Sequence, residues 1–132
     1  MKVREIVDYL QNLYPASLAS SFDYGKIGLQ FGALSKEVKK VMIALDGTSK
    51  VINEAIENNV DLLITHHPFL FNPIINMDYN SPLGKKMLKV FKNELCIFSM
   101  HTNFDDCSTL YCYNIKKHFS KFISNGTTAF SA

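Results

Sequence analysis

Asp61-Leu62-Leu63-Ile64-Thr65-His66-His67-Pro68-Phe69-Leu70-Phe71-Asn72-Pro73 is a short apolar run that stops in two adjacent histidines and a proline. Leu62, Leu63 and Ile64 have the character of a buried strand bounded by turn formers. Pro68 ends the ladder, because it has no N–H to donate and biases His67 toward an extended backbone. The two imidazoles therefore lie at the carboxyl end of a strand, where the chain leaves the sheet. Along a regular strand, neighbouring side chains face opposite ways. His66 and His67 serve one site only if the backbone turns as it exits.

Two further apolar runs flank this one. Val41-Met42-Ile43-Ala44-Leu45 ends in Asp46-Gly47-Thr48, and its nearly unbroken apolar character predicts a strand covered on both faces. Leu95 to Met100 ends in His101-Thr102-Asn103-Phe104-Asp105-Asp106. Between them lie two helical patterns. One covers Ser49 to Asn58, with Val51, Ile52, Ala55 and Ile56 as its buried stripe. The other opens with Ser81 as N-cap and Pro82 at the first helical position, and runs to Asn93. It is expected to bury Met87, Leu88 and Phe91 and to show Lys85, Lys86, Lys89 and Lys92 to water.

Strand, helix, strand, helix, strand is the pattern of βαβ crossovers. It predicts an α/β fold: a mainly parallel sheet of three to five strands with helices on both faces. Upstream, Ile6, Val7, Leu10 and Leu13 give Val3 to Tyr14 the stripe of a surface helix, which Pro15 stops. The glycine-rich stretch from Ser20 to Gly32 reads as a loop leading into a short strand near Ile27 to Phe31. Downstream, a helix is expected near Leu110 to Lys121, burying Cys112, Ile115, Phe119 and Phe122. Thr127 to Ala132 reads as the start of another strand.

The 132 residues are expected to form a single α/β domain, 1–132. Apolar residues are 47% and charged residues 20%, ordinary for a globular protein. A net charge of +2 gives no argument for nucleic acid or an acidic membrane as partner. No run has the length of a membrane span, and the first residues open into a helix rather than a signal peptide. The three cysteines, Cys96, Cys107 and Cys112, show no zinc-type spacing, and a reducing cytoplasm is the expected location.

In open α/β sheets, ligands bind outside the carboxyl ends of the strands. Asp46-Gly47-Thr48, His66-His67 and His101 to Asp105 all fall there. Imidazoles and carboxylates are the usual ligands of zinc, iron or manganese. Two histidines with one or two carboxylates suit a hydrolytic centre in which the metal lowers the pKa of bound water. Each residue also has a plainer reading. Asp46-Gly47-Thr48 is either part of the site or a tight turn into a helix. It resembles a phosphatase signature, but Ala44 stands where the nucleophilic aspartate is needed, so a phosphoaspartyl mechanism is rejected. His101 is a ligand or a partner that orients one, and the orienting role is preferred. Asp106 is equally a turn residue. The lysine face is a solvated face before it is a patch for a phosphate-bearing substrate. His118 and the cysteines read as structural.

Gly28-Leu29-Gln30, Ile43 to Thr48, Leu63 to Pro68 and His101-Thr102-Asn103-Phe104-Asp105 together resemble the NGG-one-interacting-factor-three-like family. Its members are also catalogued as GTP cyclohydrolase I type 2 homologues. The motifs run in the family's order across essentially the whole chain. The resemblance implies a mixed α/β fold, a two-metal site and ring-shaped homo-oligomers, often hexamers. It places the first-half metal ligands on His66, His67 and Asp105. Asp46, Thr48, His101 and Asn103 are candidates for the surrounding crevice or for holding the ligands in place. The implied cofactors are divalent zinc, iron or manganese ions, two in the complete site.

The implied activity is metal-dependent hydrolysis of a nucleotide-like substrate. The alternative is a non-catalytic metal-binding or scaffold protein acting through homo-oligomer or partner assembly. The chain departs from the family in three places. Phe22-Asp23-Tyr24 stands where tryptophan-aspartate-asparagine is usual, and Cys107 to Asn114 replaces a glycine-rich turn. The family also continues for about as many residues again, with a His-x-x-x-Glu pair completing the metal site. This chain has no such pair, so the N-terminal half of the family fold is expected, either as a fragment or as a naturally shortened relative with half a site.

Overall fold

The computed structural model describes residues 1–105. The expected helix near Leu110 to Lys121, the expected strand from Thr127, and Asp106, Cys107, Cys112 and His118 lie outside the described residues. The elements in chain order begin with α1 (Val3–Leu13), two 3-10 turns (Ala16–Leu18 and Ser21–Asp23), β1 (Gly28–Phe31) and β2 (Val41–Ala44). They continue with α2 (Ser49–Glu57), β3 (Leu62–Thr65), α3 (Pro82–Lys92), β4 (Cys96–Ser99) and α4 (Thr102–Asp105).

The four strands form one sheet in the order β1-β4-β3-β2. β2, β3 and β4 are parallel, as the alternation of strands and helices predicts, and β1 is antiparallel on β4. Alternation along each strand sorts side chains between two cores. Leu62, Ile64, Cys96 and Phe98 meet Val3, Ile6, Val7 and Leu10 of α1 on one face. Leu63 and Ile97 meet Val51, Ile52 and Ala55 of α2 and Met87 and Val90 of α3 on the other. Helices therefore cover both faces. None of the helices among the described residues is long and apolar enough to cross a membrane.

Two expectations are corrected. β2 is an edge strand, and α1 does not reach its far end: Ile43 is 37% exposed and Leu45 48% exposed. A run of apolar residues shows that a strand is core-like, but strand order decides whether both faces are covered. On α3 the buried stripe is Gly84, Met87 and Val90, while Phe91 is 61% exposed and packs edge-on against Phe31. The helix is rotated one residue from the expected register, because Gly84 lies hard against the Asp78 carbonyl, where no larger residue fits. Lys86 is correspondingly half-buried, its ammonium donating to the Gly47 carbonyl over the Phe69 ring.

Gly32 ends β1 with φ +113°, and a Cβ there would collide with the Cys96 side chain. Both features reserve the position for glycine. Burial pushes the Cys96 thiol above its ordinary pKa, so it packs as a small hydrophobe.

Candidate metal centre

The parallel pairing of β2, β3 and β4 sets their carboxyl ends side by side. The ladder runs slightly past the strands: His66 N donates to Ala44 O at 3.2 Å, His67 N to Leu45 O at 3.0 Å, and Met100 N to Thr65 O at 3.0 Å. Pro68 then ends it, and the chain turns away. At this exit the rings of His66 and His67 converge to 5.0 Å between centroids. His101, leaving β4, brings its ring to 5.1 Å from His66 and 5.5 Å from His67. One nitrogen from each of the three imidazoles lies within 4.8 Å of the others.

Each imidazole has its own carboxylate. Asp46, at the end of β2, holds His67 Nδ1 at 2.7 Å. Asp23, from the second 3-10 turn, holds His101 Nδ1 at 2.8 and 3.0 Å through its two oxygens. Asp105 of α4 places Oδ2 at 3.7 Å from His66 Nε2. That last distance is too long for a hydrogen bond. It is close to the roughly 3.4 Å that separates two ligands of one tetrahedral ion with bonds near 2.0–2.1 Å.

The donor set fits a divalent ion. Burial, aided by the neighbouring imidazoles and only partly opposed by Asp105, pushes His66 below the ordinary histidine pKa. His66 is therefore neutral near pH 7, the form a metal requires. Burial alone would raise the Asp23 pKa, but hydrogen bonds from Thr102 and His101 outweigh it and hold the carboxyl below its usual range.

The other expected site residues do different work. Thr48 caps α2, its Oγ1 accepting from Val51 N at 3.2 Å, a contribution of about 1 kcal/mol. Asn103 is buried: Oδ1 accepts from His101 N and Nδ2 donates to Tyr14 O, each at 2.9 Å. It shapes the turn and ties it to the end of α1. Gly47, between Asp46 and Thr48, lies under Phe69, where a Cβ would approach the ring to 2.6 Å. The structure thus brings together His66, His67, His101, Asp46 and Asp105, with Thr48 capping α2 and Asn103 bonded to the His101 backbone.

Two residues tied to this crevice were given no site role from the sequence. Asp23 is one; the signal for it was that the aspartate stays when the residues around it differ from the family's usual run. Gln30 is the other. The register of β1 on β4 slips between Leu29 and Phe31, making Gln30 the extra residue of a β-bulge. The bulge aims its carboxamide at the loop after His67. Oε1 accepts from Phe69 N at 2.6 Å, Leu70 N at 3.2 Å and Ser99 Oγ at 3.0 Å, while Nε2 donates to Lys26 O and Leu70 O. Ser99 in turn meets Thr65 Oγ1 at 2.8 Å, completing a polar chain beneath the imidazoles.

On the α1 side of His66, Ile43, Ile64, Met100 and Phe104 line an apolar pocket of about 150 Å³. A larger groove of about 510 Å³, between Gly32 and Phe91, opens at the amino end of β4, away from the imidazoles.

Residues 1–117 match the family described as Duf34/NIF3 (NGG1p interacting factor 3). A GTP cyclohydrolase 1 type 2 homolog of Listeria innocua is 44% identical over 108 residues, which is 80% of this chain and 28% of the relative. Reduced HcgD from Methanocaldococcus jannaschii has a similar fold, with a TM-score of 0.72 at 41% identity over 78% of this chain and 40% of that one. A Bacillus cereus protein related to NIF3 gives 0.73 at 42% identity, covering 78% of this chain and 28% of that one. The matched part of the chain covers 28% to 40% of the length of these relatives.

Proposed function

The chain belongs to the Duf34/NIF3 family, and from that premise we propose that it holds a divalent metal centre and serves in the metal-dependent hydrolysis of a nucleotide-like substrate. The observation that carries this reading is the convergence of three imidazoles, with nitrogens within 4.8 Å of one another, at the ends of two parallel strands. His66, His67 and Asp105 hold the metal, and His101 adds a nitrogen from the third side. Asp46 occupies Nδ1 of His67 and so leaves Nε2 for the ion. Nitrogen and oxygen donors of this kind take zinc, iron or manganese, and the family-type site takes two ions.

A bound ion supplies Lewis acidity at neutral pH. The chain's own residues position and shield. Phe104 and the apolar pocket beside His66 exclude water from one side. That pocket is smaller than the roughly 300 Å³ at which ligand pockets begin, so it receives a fragment of the substrate rather than all of it. The name GTP cyclohydrolase 1 type 2 homolog, borne by the relatives, supports a purine nucleotide as the substrate class. The chain works as one α/β domain in the cytoplasm, in a homo-oligomer of the family's hexameric kind.

A second reading is a metal-binding protein without turnover, acting through assembly. It is favoured by the apolar edge beside the site, where Ile43 and Leu45 stand exposed. Incubating the zinc-, iron- or manganese-loaded chain with GTP and other nucleotides separates the two. Turnover above the metal-free chain, lost in Asp105→Ala, is the result expected of the hydrolase. Background turnover with metal bound leaves the assembly reading.

A further inference from the structure

We propose that Asp23 is the positioning residue of this centre: it holds the Nδ1–H of His101 and so leaves Nε2 of that ring as the lone-pair nitrogen beside His66 and His67. The inference rests on the metal reading for its consequence, but not for its geometry.

Asp23 is fully buried, although it comes from a short turn 78 residues away from His101. A buried carboxylate is tolerated only when its oxygens are satisfied. Here Oδ2 accepts from the Thr102 backbone N at 3.2 Å, from the Thr102 hydroxyl, and from His101 Nδ1 at 2.8 Å, with Oδ1 at 3.0 Å from the same ring nitrogen. The Thr102 hydroxyl oxygen accepts from Ser20 N at 2.8 Å, which locks the turn carrying Asp23 to the turn carrying His101. An ionised carboxylate only accepts, so every group facing it must donate. In neutral His101 the single ring proton therefore sits on Nδ1, and the lone pair sits on Nε2. Phe22 packs edge-on to the ring at 6.2 Å and further limits its rotation.

The logic also says what an isostere does. In Asp23→Asn, the two Thr102 donors require the amide oxygen at the Oδ2 position. The NH₂ group then takes the Oδ1 position, 3.0 Å from His101 Nδ1, so the ring proton keeps only a neutral acceptor, at the Oδ2 position 2.8 Å away, with a donor beside it. The hold on the Nδ1 proton weakens, and the Nε2-protonated form, whose lone pair is turned away from the other imidazoles, gains population. Outer partners of metal-bound histidines typically account for about 10–100-fold in metal affinity.

The test uses ¹⁵N NMR of the histidine rings in the metal-free chain, together with zinc competition titrations. Wild type is expected to show His101 protonated at Nδ1. Asp23→Asn is expected to show a larger share protonated at Nε2 and to bind zinc about 10–100-fold more weakly. Thr102→Val removes one donor to Asp23 and the acceptor of Ser20 N but leaves the His101 contact, and is expected to lower stability while keeping the wild-type tautomer. An Nε2-protonated His101 in wild type overturns the proposal. So does an Asp23→Asn chain with the wild-type tautomer, or equal losses in Asp23→Asn and Thr102→Val without a tautomer change, which is the behaviour of a purely structural clamp. If wild type takes up no zinc, the metal reading fails, and the tautomers alone decide the role of Asp23.

Discussion

His66→Ala is expected to weaken zinc binding by at least about 100-fold, the upper end of what even an outer partner's loss costs. His66 lies at the centre of the cluster: its ring is 5.0 Å from His67, 5.1 Å from His101 and 6.1 Å from Phe104. Its Nε2 is also the nitrogen nearest Asp105. Removing the ring separates the carboxylate from the remaining imidazoles and takes away the donor whose pKa the surroundings hold down. The fold should not follow. The side chain is a quarter exposed, and its backbone N–H still bonds Ala44 O in the variant. Competition titration reads the affinity, and the urea midpoint checks that the protein remains folded. A variant that binds as tightly as wild type would move the centre elsewhere.

Gln30→Ala is expected to cost about 2–4 kcal/mol, because it strands several part-buried partners at once. Phe69 N, Leu70 N and Ser99 Oγ lose their acceptor, and Lys26 O and Leu70 O lose their donor. Such a loss is a large share of the roughly 5–15 kcal/mol that holds an ordinary domain together. The loop it releases begins directly after His67 and Pro68, so zinc affinity should fall along with stability. Gln30→Glu keeps the acceptor and loses both donors; its urea midpoint should lie between those of wild type and alanine. A midpoint for Gln30→Ala within error of wild type would mean that the bulge carries the loop without the carboxamide.

The contrast between His66 and Gln30 shows what a sequence of this kind makes legible. Leu62 to Thr65, stopped by two histidines and Pro68, locates a strand end, and the neighbouring runs locate two more. Parallel pairing then gathers the three ends by geometry alone. The same local pattern does not contain strand order, so Val41 to Leu45 read as doubly covered when β2 lies at an edge. It does not fix helix rotation to within one residue either, so Phe91 was expected inside where Val90 is found. Long-range partners are the hardest. Asp23 and His101 are 78 positions apart, and Gln30 reaches a loop 39 and 40 positions away. Neither connection leaves a periodicity. His101 read as either a ligand or an orienting residue, and the structure sets its ring among the other two with Asp23 on its Nδ1.

The central claim is that these side chains hold a divalent ion, and its most direct test is the metal content of the chain purified near neutral pH without chelator. Elemental analysis is expected to find zinc, iron or manganese close to stoichiometric with protein, and to find little in His66→Ala prepared alongside. Wild-type chain that is folded yet free of metal, and that takes up none when zinc, iron or manganese is supplied, would contradict the account.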